Sequence, residues 1–256
     1  MKIVVCVKQV PDSAANLTIE DGKVSWGDAP LVINPWDEYA VEAALQQKEA
    51  LGGTVTVVSI GGEAAKIALR HALAMGADDA ILISDPALSE LDTQAAARLL
   101  TAAIRKIGGV DLACFGRQSI DGDSGVTPAQ TARLLGWPSL TLASTVKVEG
   151  GEIRVEHSTE EGRQIVRAKL PAVVSPTKDF GEPRFPSFLN KRKADRAIIP
   201  VWSLADLNIP APAPVISWAG PALPPIREAA CEFITGNSPE EIAEKLADKI
   251  LAGKAQ

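Results

Sequence analysis

Short apolar β-branched runs alternate with stretches of helical spacing through the first 120 residues of the chain. Ile3 to Val7, Val55 to Ile60, Ala80 to Ile83 and Val110 to Phe115 have the near-continuous apolar composition of strands buried on both faces. Between them, Asp37 to Ala50, Glu63 to Ala74 and Thr93 to Ile107 carry apolar residues three and four apart, and Gly52-Gly53 closes the first of these segments. This alternation favours a parallel sheet with crossover helices on both faces. The expected fold class is α/β, a Rossmann-like, doubly wound, mainly parallel sheet. A hairpin excursion around Gly22, with Val24 to Trp26 and Leu31 to Ile33 as candidate strands, follows a Lys-Gln-Val-Pro-Asp turn after the first strand.

Past Pro138 the texture changes. Thr145 to Glu149, Glu152 to His157, Gln164 to Leu170 and Ala172 to Ser175 alternate or are β-branched, with Gly150-Gly151 as a hairpin turn, and predict a β-rich addition to the sheet. From Pro200 the chain turns proline-dense, with Pro210, Pro212, Pro214, Pro221, Pro224 and Pro225 close together, a density that excludes helix and central strand. Ser238-Pro239-Glu240-Glu241 then places a cap, a first-turn proline and two acids at the start of a terminal helix. Two parts are expected: an α/β domain over 1–199, and an extended arm with its helix over 200–256 that lies on the domain or on another chain.

Composition narrows the function. A net charge of −6 disfavours a general nucleic-acid binder, which needs a surplus of cations over phosphate. Trp26, Trp36, Trp137, Trp202 and Trp218 are scattered and form no stacking stripe. Cys6, Cys114 and Cys231 lie far apart without a CxxC pair, so neither a zinc site nor a disulfide framework is indicated. His71 and His157 read as surface or satisfied polar side chains, and no nucleophile and base pair recommends itself. No apolar window reaches membrane-spanning length and the first residues lack a signal-peptide pattern, so a cytoplasmic protein without membrane insertion is expected.

The loop after the Val110 to Phe115 run is the most informative stretch. In a doubly wound sheet, ligands bind beyond the carboxyl ends of the strands. There Gly116, Gly122 and Gly125 permit close approach of backbone N–H groups, while Ser124 and Thr127 can donate to phosphate oxygens ahead of a helix N-terminus. Asp121 and Asp123 suit ribose hydroxyls, Asx turns or a cap. Spacing alone leaves phosphate binding and an ordinary capped connection both open. Lys8 and Gln9, Asn34 to Asp37, and Ser59 to Gly62 stand at comparable strand ends, and together such loops would form a nucleotide pocket.

These blocks also resemble a known family. VCVKQVPD at 5–12, INPWDEYAVEAAL at 33–45, ALAMGAD at 72–78, GRQSIDGD at 116–123, LPAVVS at 170–175 and EPRF at 182–185 follow the order and spacing of the β subunit of electron transfer flavoproteins over about the first 200 residues. The resemblance implies a heterodimer with an α subunit that holds most of the FAD. The β subunit itself encloses an adenine nucleotide, which is AMP in ordinary members and a second FAD in electron-bifurcating ones. Carried across, the contacts fall at Cys6 and Lys8, at Asn34, Pro35, Trp36 and Asp37, and at Ile60. In the long loop they fall at Gly116, Arg117, Gln118, Ser119, Ile120, Asp121, Gly122, Asp123, Ser124, Gly125, Val126 and Thr127.

Val126-Thr127-Pro128 departs from the family's Gln-Thr-Gly and Gln-Val-Gly patterns. Thr127 keeps the hydroxyl of the ordinary members, whereas Asp121-Gly122-Asp123 looks like the bifurcating ones. AMP is the preferred expectation. Over 182–196 the resemblance implies a docking segment for acyl-CoA or other dehydrogenases, with Phe188 and Leu189 as an apolar anchor and Lys191, Arg192 and Lys193 as its charged rim. Electrons would pass on to an acceptor resembling a quinone oxidoreductase. A nucleotide-binding regulatory module of the universal stress or ATP-pyrophosphatase type shares the general plan and stands as the alternative.

Overall fold

The computed structural model describes residues 1–20, 22–88, 91–216, 220–222, 225 and 231–253; Trp218 and Pro224 lie outside them. The elements, in chain order, are β1 (Lys2–Cys6), β2 (Gln9–Pro11), β3 (Thr18–Glu20), β4 (Lys23–Ser25), β5 (Leu31–Ile33), α1 (Pro35–Leu51) and β6 (Thr54–Ile60). There follow α2 (Lys66–Met75), β7 (Asp79–Ile83), α3 (Thr93–Ile107), β8 (Leu112–Phe115) and α4 (Thr127–Leu135). The remainder is β9 (Ser139–Glu149), β10 (Glu152–Thr159), β11 (Gly162–Lys169), β12 (Ala172–Pro176), α5 (Phe188–Asp195), β13 (Val201–Trp202), α6 (Leu204–Leu207) and α7 (Pro239–Gly253).

One nine-stranded sheet has the order β11-β10-β9-β12-β8-β1-β6-β7-β13. Every pair from β9 through to β13 is parallel, and only β9-β10 and β10-β11 are antiparallel. Ile3, Val5, Val55, Val57 and Val174 pack on α1 and α2, while Val4, Cys6, Val58, Ala113 and Val173 face α3 and α4 on the other side. Alternate residues of the same strands thus feed two cores, which explains runs apolar at every position. Each fully buried Val or Ile contributes about 1.5–3 kcal/mol. The doubly wound α/β sheet is the expected one.

Three local expectations change. The hairpin around Gly22 joins β3 to β4, whereas Leu31–Ile33 pairs back onto Gln9–Pro11, the stretch read as a turn. Pro11 ends that strand opposite Leu31, and the next residue, Asp12, still donates its N–H to Pro30 O at 2.8 Å. Ala172–Pro176 does not belong to the β-rich addition: β12 sits between β9 and β8 inside the parallel part. β9 begins at Ser139, six residues before the expected Thr145, across a Leu142 at φ 57 that breaks the simple alternation.

The chain divides into two compact units, 1–220 and 221–256. Within the first, Val201 and Trp202 extend the sheet beside β7. Within the second, α7 exposes Ile242, Leu246, Ile250 and Leu251. Among the described residues, no helix is long and apolar enough to cross a membrane.

Candidate functional site

From β1 the chain winds outward through β6 to β7, then returns through α3 to β8 on the other side of β1. The loops leaving β1 and β8 therefore diverge, and a crevice opens between them at the carboxyl edge of the sheet. A cavity of about 950 Å³ occupies that position, lined by the ends of β1, β6, β7 and β8. Its size is at the upper end for small-ligand pockets.

Three loops are stitched together at its wall. Asn34, 1% exposed, donates through its backbone N–H to Lys8 O at 2.8 Å and through Nδ2 to Gln118 O at 2.8 Å, and its Oδ1 accepts from the Ile120 N–H at 3.2 Å. Three residues on, Asp37 accepts the Lys8 N–H at 2.6 Å. Gly116 completes the joint because a Cβ there would stand 2.1 Å from Asp37 Oδ1. Burial pushes the Asp37 carboxyl up to about 7, against the lowering effect of N–H groups from Lys8, Asn34 and Gly116. Burial likewise raises the Cys6 thiol well above its ordinary range, so this cavity residue is an inert wall.

The β8–α4 loop supplies the polar rim. Asp123 adopts φ 48, donates its N–H to Ser119 O at 2.8 Å, and its side chain accepts from Gln118 Nε2 at 2.5 Å. Gly125 follows at φ 63. Val126 provides no side-chain cap for α4, so the first-turn N–H groups are left for a ligand, together with the positive end of the helix dipole. Pro128 falls within that first turn, where its missing N–H disrupts no helical bond. Lys8 Nζ lies 2.7 Å from Asp121, a half-exposed pair worth at most about 1 kcal/mol, so it orders the two loops more than it stabilises them. The Arg117 guanidinium lies 5.4 Å from the ring centre of Trp36.

Cys6, Lys8, Asn34, Asp37, Ile60, Gly116, Arg117, Gln118, Ser119, Asp121, Gly122, Ser124, Gly125 and Thr127 all line the cavity. Pro35, Trp36, Ile120, Asp123 and Val126 do not; they shape or flank the loops. The sequence reading missed the half formed by the β7–α3 connection, where Ser84, Asp85, Leu88, Leu91, Asp92 and Thr93 line the cavity. The signal was present, since Ser84-Asp85-Pro86 leaves a strand at the same edge. Asp92 caps α3 through Ala95 N–H at 2.7 Å and also accepts the N–H groups of Val215 and Ile216 at 2.6 and 2.9 Å. The Thr93 hydroxyl is buried without a hydrogen-bond partner. Unpaired N–H groups suit an anion, the apolar floor of Ile60, Leu88, Leu91 and Phe115 suits a flat ring, and the hydroxyls and acids suit a sugar.

Away from the cavity, Phe188 and Leu189 are 75% and 76% exposed at the start of α5, with Lys191, Arg192 and Lys193 exposed beside them. His71 faces Glu38 at 2.8 Å. His157, expected to be satisfied, has a buried Nε2 without a partner, and burial lowers its pKa. Among the described residues, no group of acids, histidines and cysteines could hold a metal ion.

A family model for the electron transfer flavoprotein domain matches residues 25–207. The electron transfer flavoprotein subunit β of Megasphaera elsdenii is 42% identical over 209 residues, covering 78% of this chain and 77% of its own. That of Thermoanaerobacterium thermosaccharolyticum is 35% identical over 258 residues, covering 94% and 95%. The chain belongs to the electron transfer flavoprotein β-subunit family. Electron transfer is that family's function, and membership sets aside the regulatory-module alternative. Subunit CarD of the caffeyl-CoA reductase-Etf complex of Acetobacterium woodii is also similar, at 34% identity over 257 residues and 98% of each chain. Family blocks and cavity coincide: INPWDEY and GRQSIDGD supply the two loops that Asn34 joins.

Proposed function

We propose that the chain is the β subunit of a heterodimeric electron transfer flavoprotein and that its cavity holds an adenine nucleotide, AMP. The observation that carries this reading is the uncapped start of α4 beside Ser124 and Thr127, in a cavity-lining loop that turns at Gly125, φ 63. Thr127, Ser124 and the first-turn N–H groups take the phosphate, with Lys8 and Arg117 as the nearby cations. Acids outnumber cations around the cavity, so the phosphate is held by oriented N–H groups more than by net charge. The nucleotide is structural and stabilises the native state by mass action.

Electrons arrive from acyl-CoA or other dehydrogenases and leave to a quinone reductase or another acceptor. FAD, held mainly by the α subunit, supplies the redox chemistry when bound. This chain contributes a rigid base and the docking segment around Phe188 and Leu189. The sequence places the arm at 200–256, but its first part joins the α/β unit, so it is the terminal helix, through the α7 face of Ile242, Leu246 and Ile250, that packs on the α subunit.

A second reading, a second FAD in place of AMP, is favoured by one feature. The cavity runs on past the cradle to Thr93, whose buried hydroxyl lacks a partner, and its 950 Å³ exceeds the needs of a mononucleotide. Acid release and chromatography of the purified complex separates the two. One FAD and one AMP per heterodimer is the expected result; two FAD without AMP selects the second reading, and no adenine nucleotide beyond a single FAD refutes both.

A further inference from the structure

The docking segment cannot hold its own shape. α5 has eight residues, fewer than an isolated helix needs. Only Ala194 of the helix is buried, while Phe185, Phe188 and Leu189 are 92%, 75% and 76% exposed. Such a segment pays an ordering cost on every encounter unless something else fixes it.

Two arginines do so. Arg184, one residue before the exposed stretch, bonds to Glu42 through three groups: its backbone N–H at 3.1 Å, Nε at 2.8 Å and Nη2 at 3.1 Å. Nη2 also reaches Glu49 at 3.1 Å, and Nη1 bonds the same carboxylate. Glu42 and Glu49 stand two turns apart on α1, so the planar guanidinium forks across both. Glu42 is 5% exposed; burial raises its pKa, but Arg184 and Gln46 outweigh that and keep it ionised. At the other end, Arg70 of α2 donates to Ala194 O at 2.7 Å and Asp195 O at 2.6 Å, capping the last carbonyls of α5.

Resting on the docking reading above, we infer that Arg184, clamped by Glu42 and Glu49, is the positioning residue that presents the Phe185–Leu189 anchor in a preformed shape to an acid-rimmed, apolar-pocketed dehydrogenase surface. No residue of the clamp lines the cavity. Loss of the clamp therefore slackens the anchor and leaves electron transfer within a formed complex intact.

The test uses the heterodimer with a purified acyl-CoA dehydrogenase. Arg184→Gln is expected to accelerate hydrogen exchange over residues 185–195 and raise the KM for the flavoprotein, each about tenfold, with the change absent from kcat. Arg184→Lys restores little, because an ammonium lacks the fork. If Arg184→Gln does not fold, Glu49→Gln at the exposed end of the clamp is expected to shift both readouts about threefold. Unchanged exchange and KM in these variants, while Phe188→Ala/Leu189→Ala raises KM, overturns the positioning role and leaves docking standing. An unchanged KM in Phe188→Ala/Leu189→Ala overturns the docking reading and this inference with it.

Discussion

Gly116→Ala places one methyl group where β8 meets the first turn of α1. The new Cβ would lie 2.1 Å from Asp37 Oδ1, 2.8 Å from Trp36 C and 2.9 Å from Asp37 N. Carbon contacts are comfortable only beyond about 3.5 Å, so backbone must move by roughly 1 Å. The far ends of Asp37 and Asn34 are tied to Lys8, Gln118 and Ile120, which makes the first turn a poor absorber of such a shift. Overpacking costs about 1–3 kcal/mol, and at pH 8, where the Asp37 carboxylate is ionised, weakening its bond from the Lys8 N–H adds about 1.5–3 kcal/mol. The lower conformational entropy of the unfolded alanine chain returns less than about 1 kcal/mol. A net loss of about 3–4 kcal/mol corresponds to a melting midpoint roughly 10 °C lower for a domain of this size. Thermal unfolding followed by far-UV circular dichroism reads the midpoint, and gel filtration followed by chromatography reads retained nucleotide. A midpoint within about 2 °C of the parent with nucleotide retained would refute the close approach of β8 to α1 as the organiser of the site.

Asp37 predicts a pH dependence. Its carboxyl is raised from 3.8 to about 7, so between those values the native state holds a proton that the unfolded chain has released. This group's contribution is therefore fully present below about pH 4, falls as pH rises to about 7, and is absent above it. Relative to Asp37→Asn, the parent should lose about 2 kcal/mol of unfolding free energy between pH 5.5 and 7.5 in urea titrations; parallel profiles would contradict the raised carboxyl. Asn34→Ala strands the Gln118 carbonyl and the Ile120 N–H, and guanidinium unfolding should register a loss of about 2–4 kcal/mol, with less than about 1 kcal/mol arguing against the stitch.

What could be read from the chain and what could not follow from the range of the forces involved. Thr93 to Ile107 was legible to the residue, because the Asp92 cap and Gly108 stop are local signals. The Gly116–Thr127 loop was legible for the same reason: glycines and acids after a buried run announce a turn at a strand end. The three-residue strands β2 and β5 carry no measurable period, and their pairing is decided by where Asn34 binds Lys8 O. β12 looks like any β-branched strand, and nothing local says it inserts between β8 and β9. For Asp123 the residue type leaves ribose contact, turn and cap all open, and the bond its side chain accepts from Gln118 within the loop is a pairing no spacing rule announces. The β7–α3 half of the cavity escaped because Asp92 and Thr93 look like ordinary capping residues, and their placement beside Phe115 depends on the whole sheet.

The late arrival of β12 also shapes how the molecule is made. β8 and β9 are adjacent in the chain but separated in the sheet by a strand emerging only after the β10–β11 hairpin. Until Ala172 leaves the ribosome, the backbone of Leu112–Phe115 has β1 on one edge and unpaired N–H and C=O groups on the other. A nascent chain paused in the hairpin offers that edge to any passing strand, another copy included. Slow codons or truncations before Ala172 should thus yield aggregates, whereas interruptions beyond Pro176 should release a chain in which β8 is paired on both edges.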